Sequence, residues 1–176
     1  MVRIFLLGFM GAGKTTLGRA LSKELKLSFC DLDLYIEQRY RKSVSEIFAQ
    51  KGEQTFREIE KAMLHEVGEF EDIVISCGGS TPLFFDNMDY MLGQGETIYL
   101  NATTDTLTRR LKQARMKRPL IAQKSDSELE QYVESEIKRR EPGYLRAKHI
   151  CRADYLESVD QISDTIKEVK KLLTIE

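Results

Sequence analysis

Residues Gly8–Thr16 read GFMGAGKTT, a spacing in which glycines, one lysine and two hydroxyls can hold a chain of phosphates. Gly8 and Gly13 let the backbone curl so that N–H groups of the stretch Gly11, Ala12, Gly13, Lys14, Thr15 and Thr16 converge on phosphate oxygens. The helix expected to follow adds its positive N-terminal end. Lys14 would reach the outer phosphates, and the Thr15 hydroxyl would ligand magnesium. A glycine-rich connector is the bland alternative. It accounts poorly for the apolar run Ile4, Phe5, Leu6, Leu7 before the loop and for Leu17, Ala20, Leu21 and Leu25 at helical spacing after it.

Such a loop binds nucleotide but leaves the recipient of a phosphoryl group undefined. Asp31 and Asp33 follow a second apolar run, Leu27–Cys30, and alternation along an extended segment would turn both carboxylates to one side of a crevice. One could act on magnesium through water while the other aims or deprotonates an acceptor hydroxyl. Capping a helix that begins near Leu34 is the competing role. Arg57 borders a stripe of Phe56, Ile59, Met63, Leu64 and Val67. Its guanidinium suits a substrate carboxylate, and a salt bridge to Glu53, Glu58 or Glu60 fits the spacing equally well.

The segment Ser76, Cys77, Gly78, Gly79, Ser80 ends a third strand, and its N–H groups could grip a ligand or merely form a tight turn. No acidic residue ends that strand, so Asp31, assisted by the Ser76 hydroxyl, would replace the aspartate that often holds magnesium through water. Arg139 and Arg140 precede Glu141–Tyr144, where Pro142 is expected to stop a helix, and one arginine could point inward. His65 and His149 lack metal-ligand spacing.

These groups need a scaffold. Strands are expected at Ile4–Leu7, Leu27–Cys30, Ile73–Ser76, Thr97–Leu100 and Ile150–Cys151, with helices near 54–70, 104–112 and 126–140. Ser158 is positioned to cap a last helix with Ile162, Ile166, Val169, Leu172 and Leu173 as its apolar stripe. Alternating strands and helices imply an α/β parallel sheet covered on both faces, with ligands beyond the carboxyl ends of its strands. Lys112–Lys124 carries Arg115, Lys117, Arg118 and Pro119 with few residues to anchor it in a core. It reads as a flap over nucleotide, or as a solvated basic loop.

A chain of 176 residues suits one domain, 1–176. Its 27 basic and 28 acidic residues give no electrostatic case for nucleic acid or an anionic membrane, so the expected partner is small. Cys30, Cys77 and Cys151 are odd in number and widely spaced, which argues against a disulfide framework or zinc cluster and for the cytoplasm. No signal peptide or membrane span is expected.

Together, GFMGAGKTT, the DLD of Asp31–Asp33, FRE around Arg57, CGGS at Cys77–Ser80, RPLI from Arg118 and REPGY at Arg140–Tyr144 resemble the shikimate kinase family. The resemblance implies a three-layer α/β/α P-loop kinase whose parallel strands run in the order 2-3-1-4-5, with substrate-binding helices at about 34–61 and a mobile lid at about 112–124. It implies transfer of the γ-phosphoryl group of MgATP to the 3-hydroxyl of shikimate, by a cytoplasmic monomer. Under it, Asp33 holds acceptor hydroxyls, Arg57 and Arg140 hold the carboxylate, and Gly78 and Gly79 offer backbone contacts. Lys14 and Arg118 act on the transferred phosphate, Thr15 ligands Mg2+, and Asp31 stands in its outer shell. Ser80 departs from the family pattern, where a third glycine is common, and the lid entry is a residue longer. The adenine contact stays open between Arg109 and Arg110, and after His149 no arginine-rich adenine loop is evident.

Another small-metabolite kinase of this fold, such as a gluconate or nucleoside monophosphate kinase, is the main enzymatic alternative. Arg57 and Arg140 argue against a neutral acceptor. A nucleotide-dependent switch is the alternative outside enzymology, and it would have no use for the combination of Asp33, Arg57 and Arg140.

Overall fold

The computed structural model describes residues 2–115 and 120–174. Strand β1 (Arg3–Leu7) buries Ile4 and Leu6 in one apolar cluster and Phe5 and Leu7 in another, as a period-two strand covered on both faces must. Strands β3 (Ile73–Ser76) and β4 (Glu96–Asn101) flank it, and β2 (Ser28–Asp31) and β5 (His149–Arg152) form the edges. All pairings are parallel, in the order β2-β3-β1-β4-β5. The order reverses at β1, so a crevice opens beyond that strand's carboxyl end, where the glycine-rich loop lies.

Helices α1 (Lys14–Leu25), α5 (Thr104–Ala114), α6 (Asp126–Tyr144) and α7 (Val159–Leu172) supply the cluster over Ile4 and Leu6. Helices α2 (Leu32–Tyr40), α3 (Val44–Gly68) and α4 (Asn87–Gln94) supply the other. Ser43 with Glu46, Ser125 with Glu128 and Ser158 with Gln161 form capping boxes that start α3, α6 and α7. The expected stripe of α7, Ile162 to Leu173, packs on the core.

Four local expectations need correction. Helix α3 begins at Val44, ahead of the expected 54–70 stretch, and runs through a kink at Gly52, where φ is 78° and ψ 170°. Helix α2 begins at Leu32, because the Asp31 side chain accepts the Leu34 N–H and starts the first turn. Asp33 therefore projects from a helix and not from an extended segment. Pro142 does not stop α6, which continues to Tyr144 with Leu145 N–H bonded to Glu141 O at 2.8 Å. Its missing N–H falls in the last turn, which tertiary contacts hold in place. The basic segment also has more anchorage than its composition suggests: Lys112–Ala114 finish α5, Arg115 pairs with Asp126, and Ile121 is fully buried.

Candidate active site

Between Leu7 and Lys14 the chain turns through the glycine-rich loop at the switch point of the sheet. Gly13 adopts φ 98°, a left-handed conformation that favours glycine, and a Cβ there would also press on Leu156 Cδ1 at 2.6 Å. Ala12 is fully buried beneath the loop, its N–H bonded to Phe9 O at 3.1 Å. Lys14 Nζ donates to the carbonyls of Gly8 and Phe9 at 2.7 and 2.9 Å, which keeps the ammonium folded over the loop. The Thr15 hydroxyl donates to Asp31 Oδ2 at 2.8 Å. Asp31 thus serves in both of its expected positions, beside Thr15 and as the cap of α2.

A cavity of about 610 Å³ spreads from this loop. The loop contributes Gly11, Gly13, Lys14, Thr15 and Thr16 to its lining, and the ends of β2 and β3 with the start of α2 contribute Asp31, Asp33, Ser76, Gly78 and Gly79. Burial pushes the Asp33 carboxyl up to about 6, the charges of Glu60 and Asp31 adding to the rise and Lys14 opposing it. The group is therefore charged at neutral pH and far more basic than an ordinary aspartate. Gly78 fits between three oxygens: a Cβ there would meet Thr81 Oγ1 at 2.9 Å, Glu60 Oε1 at 3.0 Å and Asp33 Oδ1 at 3.2 Å.

Arg57 and Arg140 do not line this cavity, and each is largely enclosed by protein near the Gly78–Gly79 turn, with side chains 12% and 8% exposed. Arg57 makes the competing ion pairs, to Glu60 at 2.9 Å and Glu53 at 3.4 Å, while Glu58 bonds Gln54. Its guanidinium lies 4.1 Å from the Phe84 ring centroid, and Nε is buried with no hydrogen-bond partner. An unpaired N–H on the guanidinium itself leaves this cation one donor that its carboxylate partners do not use. Arg140 donates to Glu136 through Nε and Nη2, and its Nη1 lies 3.5 Å from where a Gly79 Cβ would be. Arg139 is exposed and pairs with Glu136, so Arg140 is the inward arginine.

Glu60 is a site residue that sequence reasoning treated only as a salt-bridge partner. It is 1% exposed, pairs with Arg57 and accepts the Thr81 hydroxyl at 2.7 Å. The signal existed: Arg57, Glu60 and Leu64 share one helical face, and a carboxylate on a buried face needs a partner. Beside the loop, Arg110 and not Arg109 lines the cavity. It donates to the carbonyls of Gly11 at 3.3 Å, Ala153 at 2.9 Å and Asp154 at 3.0 Å. Leu156 and Glu157 complete that wall, and neither belongs to a motif. Asp154 is buried, yet the Thr103 N–H, Arg152 and the Thr106 and Thr103 hydroxyls bring its carboxyl down to about 2. Arg118 lies outside the described residues.

A phosphate loop at the switch point of a 2-3-1-4-5 parallel sheet, sharing one cavity with a helix-borne carboxylate, defines a P-loop kinase of small molecules. The shikimate kinase family model matches residues 10–171. A shikimate kinase of Phocaeicola vulgatus is 50% identical over 173 residues, 98% of this chain and 99% of that one. The crystal structure of shikimate kinase from Bacteroides thetaiotaomicron superposes with a TM-score of 0.96 at 48% identity and 99% coverage of both chains. The Acinetobacter baumannii enzyme, solved in complex with shikimate, gives 0.86 at 28% identity, covering 99% of this chain and 94% of that one. The chain belongs to the shikimate kinase family and is an ATP-dependent kinase. Among the described residues no helix is long and apolar enough to cross a membrane.

Proposed function

We propose that this chain transfers the γ-phosphoryl group of ATP to the 3-hydroxyl of shikimate, giving shikimate 3-phosphate and ADP on the route to chorismate and aromatic amino acids. The observation that carries the reading is the shared cavity: its two ends, phosphate loop and Asp33 with Gly78 and Gly79, suit the two reactants of an in-line displacement. The N–H groups from Gly11 to Thr16 and the Lys14 ammonium receive the phosphates. Arg57 and Arg140 bind the acid's carboxylate, Gly78 and Gly79 meet its ring hydroxyls through backbone, and Asp33 accepts a hydrogen bond from the 3-hydroxyl. As that oxygen bonds to the γ-phosphorus and the bond to ADP breaks, Asp33 guides or takes the hydroxyl proton, a task suited to a carboxyl raised to about 6. Arg118 reaches over from a lid at about 112–124 and acts on the charge of the transferred group. Of the two arginines considered for the base, Arg110 is the one that lines the cavity, which supports assigning the contact to it. The reading includes a single domain with an acceptor-binding region at about 34–61, acting as a cytoplasmic monomer independent of nucleic acid and membrane.

The donor set near Thr15 fits magnesium. A hydroxyl and a carboxylate 2.8 Å apart are hard oxygen donors, and among the described residues no cluster of three acidic, histidine or cysteine groups forms a dedicated cage. Magnesium that arrives with nucleotide and keeps several waters needs no more. Thr15 would hold it directly and Asp31 through water, and when bound it would neutralise phosphate charge. The test is phosphoryl transfer from ATP to a panel of hydroxylated acids, sugars and nucleoside monophosphates. Shikimate should be the one strong acceptor. Preference for gluconate or a nucleotide, or ATP hydrolysis indifferent to all of them, would contradict the reading.

A further inference from the structure

The acceptor end contains two successive glycines, and a glycine pair is free to take many backbone conformations unless something fixes it. The last turn of α6 reaches this pair. Tyr144 is fully buried, its ring stacked on Tyr99 of β4 with centroids 5.1 Å apart, and its hydroxyl donates to the Gly79 carbonyl at 2.5 Å. One residue earlier Gly143 packs directly on Leu83, and one turn earlier Arg140 faces Gly79. A single helical turn therefore carries both an acid-binding cation and a clamp on the backbone beside it.

We propose that Tyr144 is a positioning residue for the acceptor: its hydroxyl fixes the Gly79 carbonyl and so holds the Gly78–Gly79 backbone in register with Arg140 to receive the ring hydroxyls. A buried tyrosine needs a hydrogen-bond partner for its own sake. Here the partner is neither a helix nor a strand carbonyl but that of the glycine turn lining the cavity. Burial pushes the phenol up to about 12, against the opposing charge of Arg140, so the hydroxyl keeps its donor proton throughout the neutral range. The same contact gives a reason for α6 to continue past Pro142, since stopping there would remove both Gly143 and Tyr144 from the turn.

The inference rests on the acceptor reading above, and the experiment separates the two. Tyr144→Phe removes one oxygen and keeps the stacked ring. It should raise the KM for shikimate about tenfold while leaving the KM for ATP within twofold. Tyr99→Phe, which alters the other ring of the stack without touching Gly79, should leave both constants unchanged. A competitive inhibitor with the ring carboxylate but no hydroxyls should bind wild type and Tyr144→Phe alike, because it depends on the arginines alone. A purely structural hydroxyl would lower Tm in Tyr144→Phe without this split. If wild type turns over shikimate and Tyr144→Phe has the same KM, or if both ligands weaken equally, the role of Tyr144 is overturned. If wild type does not turn over shikimate, the acceptor reading falls and this inference with it. Should Tyr144→Phe not fold, 3-fluorotyrosine at the tyrosine positions offers a second measurement: by acidifying the phenol it should change shikimate affinity and leave the hydroxyl-free inhibitor's unchanged, and equal affinities for shikimate would again overturn the role.

Discussion

The two ends of the cavity are built in opposite ways. The loop end is one contiguous stretch, Gly11–Thr16, which under the proposed reading works largely through backbone, and its geometry follows from a strand handing over to a helix at the switch point of the sheet. Around the turn after β3, Asp33 of α2 lines the cavity while Arg57 of α3 and Arg140 of α6 stand outside its lining, and these side chains depend on neighbours: Arg57 on Glu60, Glu60 on Thr81, Arg140 on Glu136. A site made of backbone should tolerate changes around it and fail sharply when Lys14 is removed. A site made of linked side chains should instead fail in grades, with acceptor binding as the common symptom.

Lys14→Ala should give the largest effect, a loss of turnover on the order of 10³-fold with shikimate affinity by calorimetry unchanged. Loss of shikimate binding in that variant would mean that the two ends are not separable. Asp33→Asn should come next, lowering kcat about 10²-fold. In wild type kcat/KM should fall as pH drops below about 6, where Asp33 takes up its proton. The stability consequence has the opposite sense. Because the folded-state pKa is raised, this group's contribution to stability is present below the ordinary carboxylate range and is lost as pH rises through about 6. Asp33→Asn should therefore raise Tm by a few degrees at pH 8 and have no such effect at pH 3.5, a comparison that differential scanning calorimetry reads directly.

Arg57→Ala should raise the KM for shikimate by tens of fold and leave that for ATP unchanged, because it removes a charge-assisted contact at one end only. An unchanged shikimate KM would remove Arg57 from the carboxylate site and leave it as the partner of Glu60. Gly78→Ala should have the smallest effect on chemistry at the phosphate end. Its Cβ must displace Thr81, Glu60 or Asp33, so a loss of about 1–3 kcal/mol in stability is expected by urea denaturation, together with weaker acceptor binding.

The same contrast explains what could be read from sequence. The loop with Lys14 and Thr15 and the position of Asp31 were legible from a local motif and the apolar runs before it, whereas the strand order came only with the family resemblance. Asp33 was legible by its place after β2, although helix α2 presents it and not an extended segment. Arg57 and Arg140 were legible as cations, and the structure adds the partners that hold them. Glu60 was within reach from its spacing to Arg57. Arg110 was narrowed only to a choice with Arg109, and the contacts of Thr81, Tyr144 and Leu156 were not legible, since they exist only when separate elements meet around the loop and the turn after β3. Pro142 and Ile121 illustrate the same override: a helix breaker tolerated by docking, and an anchor hidden in a basic segment.

The most direct measurement is a crystal structure of the protein with shikimate and a nonhydrolysable ATP analogue. The terminal phosphate is expected over the N–H groups of Gly11–Thr16, with the 3-hydroxyl within hydrogen-bond distance of Asp33 and the carboxylate on Arg57 and Arg140. Shikimate bound away from Asp33, or with its carboxylate turned from both arginines, would contradict the joining of the two ends in one reaction.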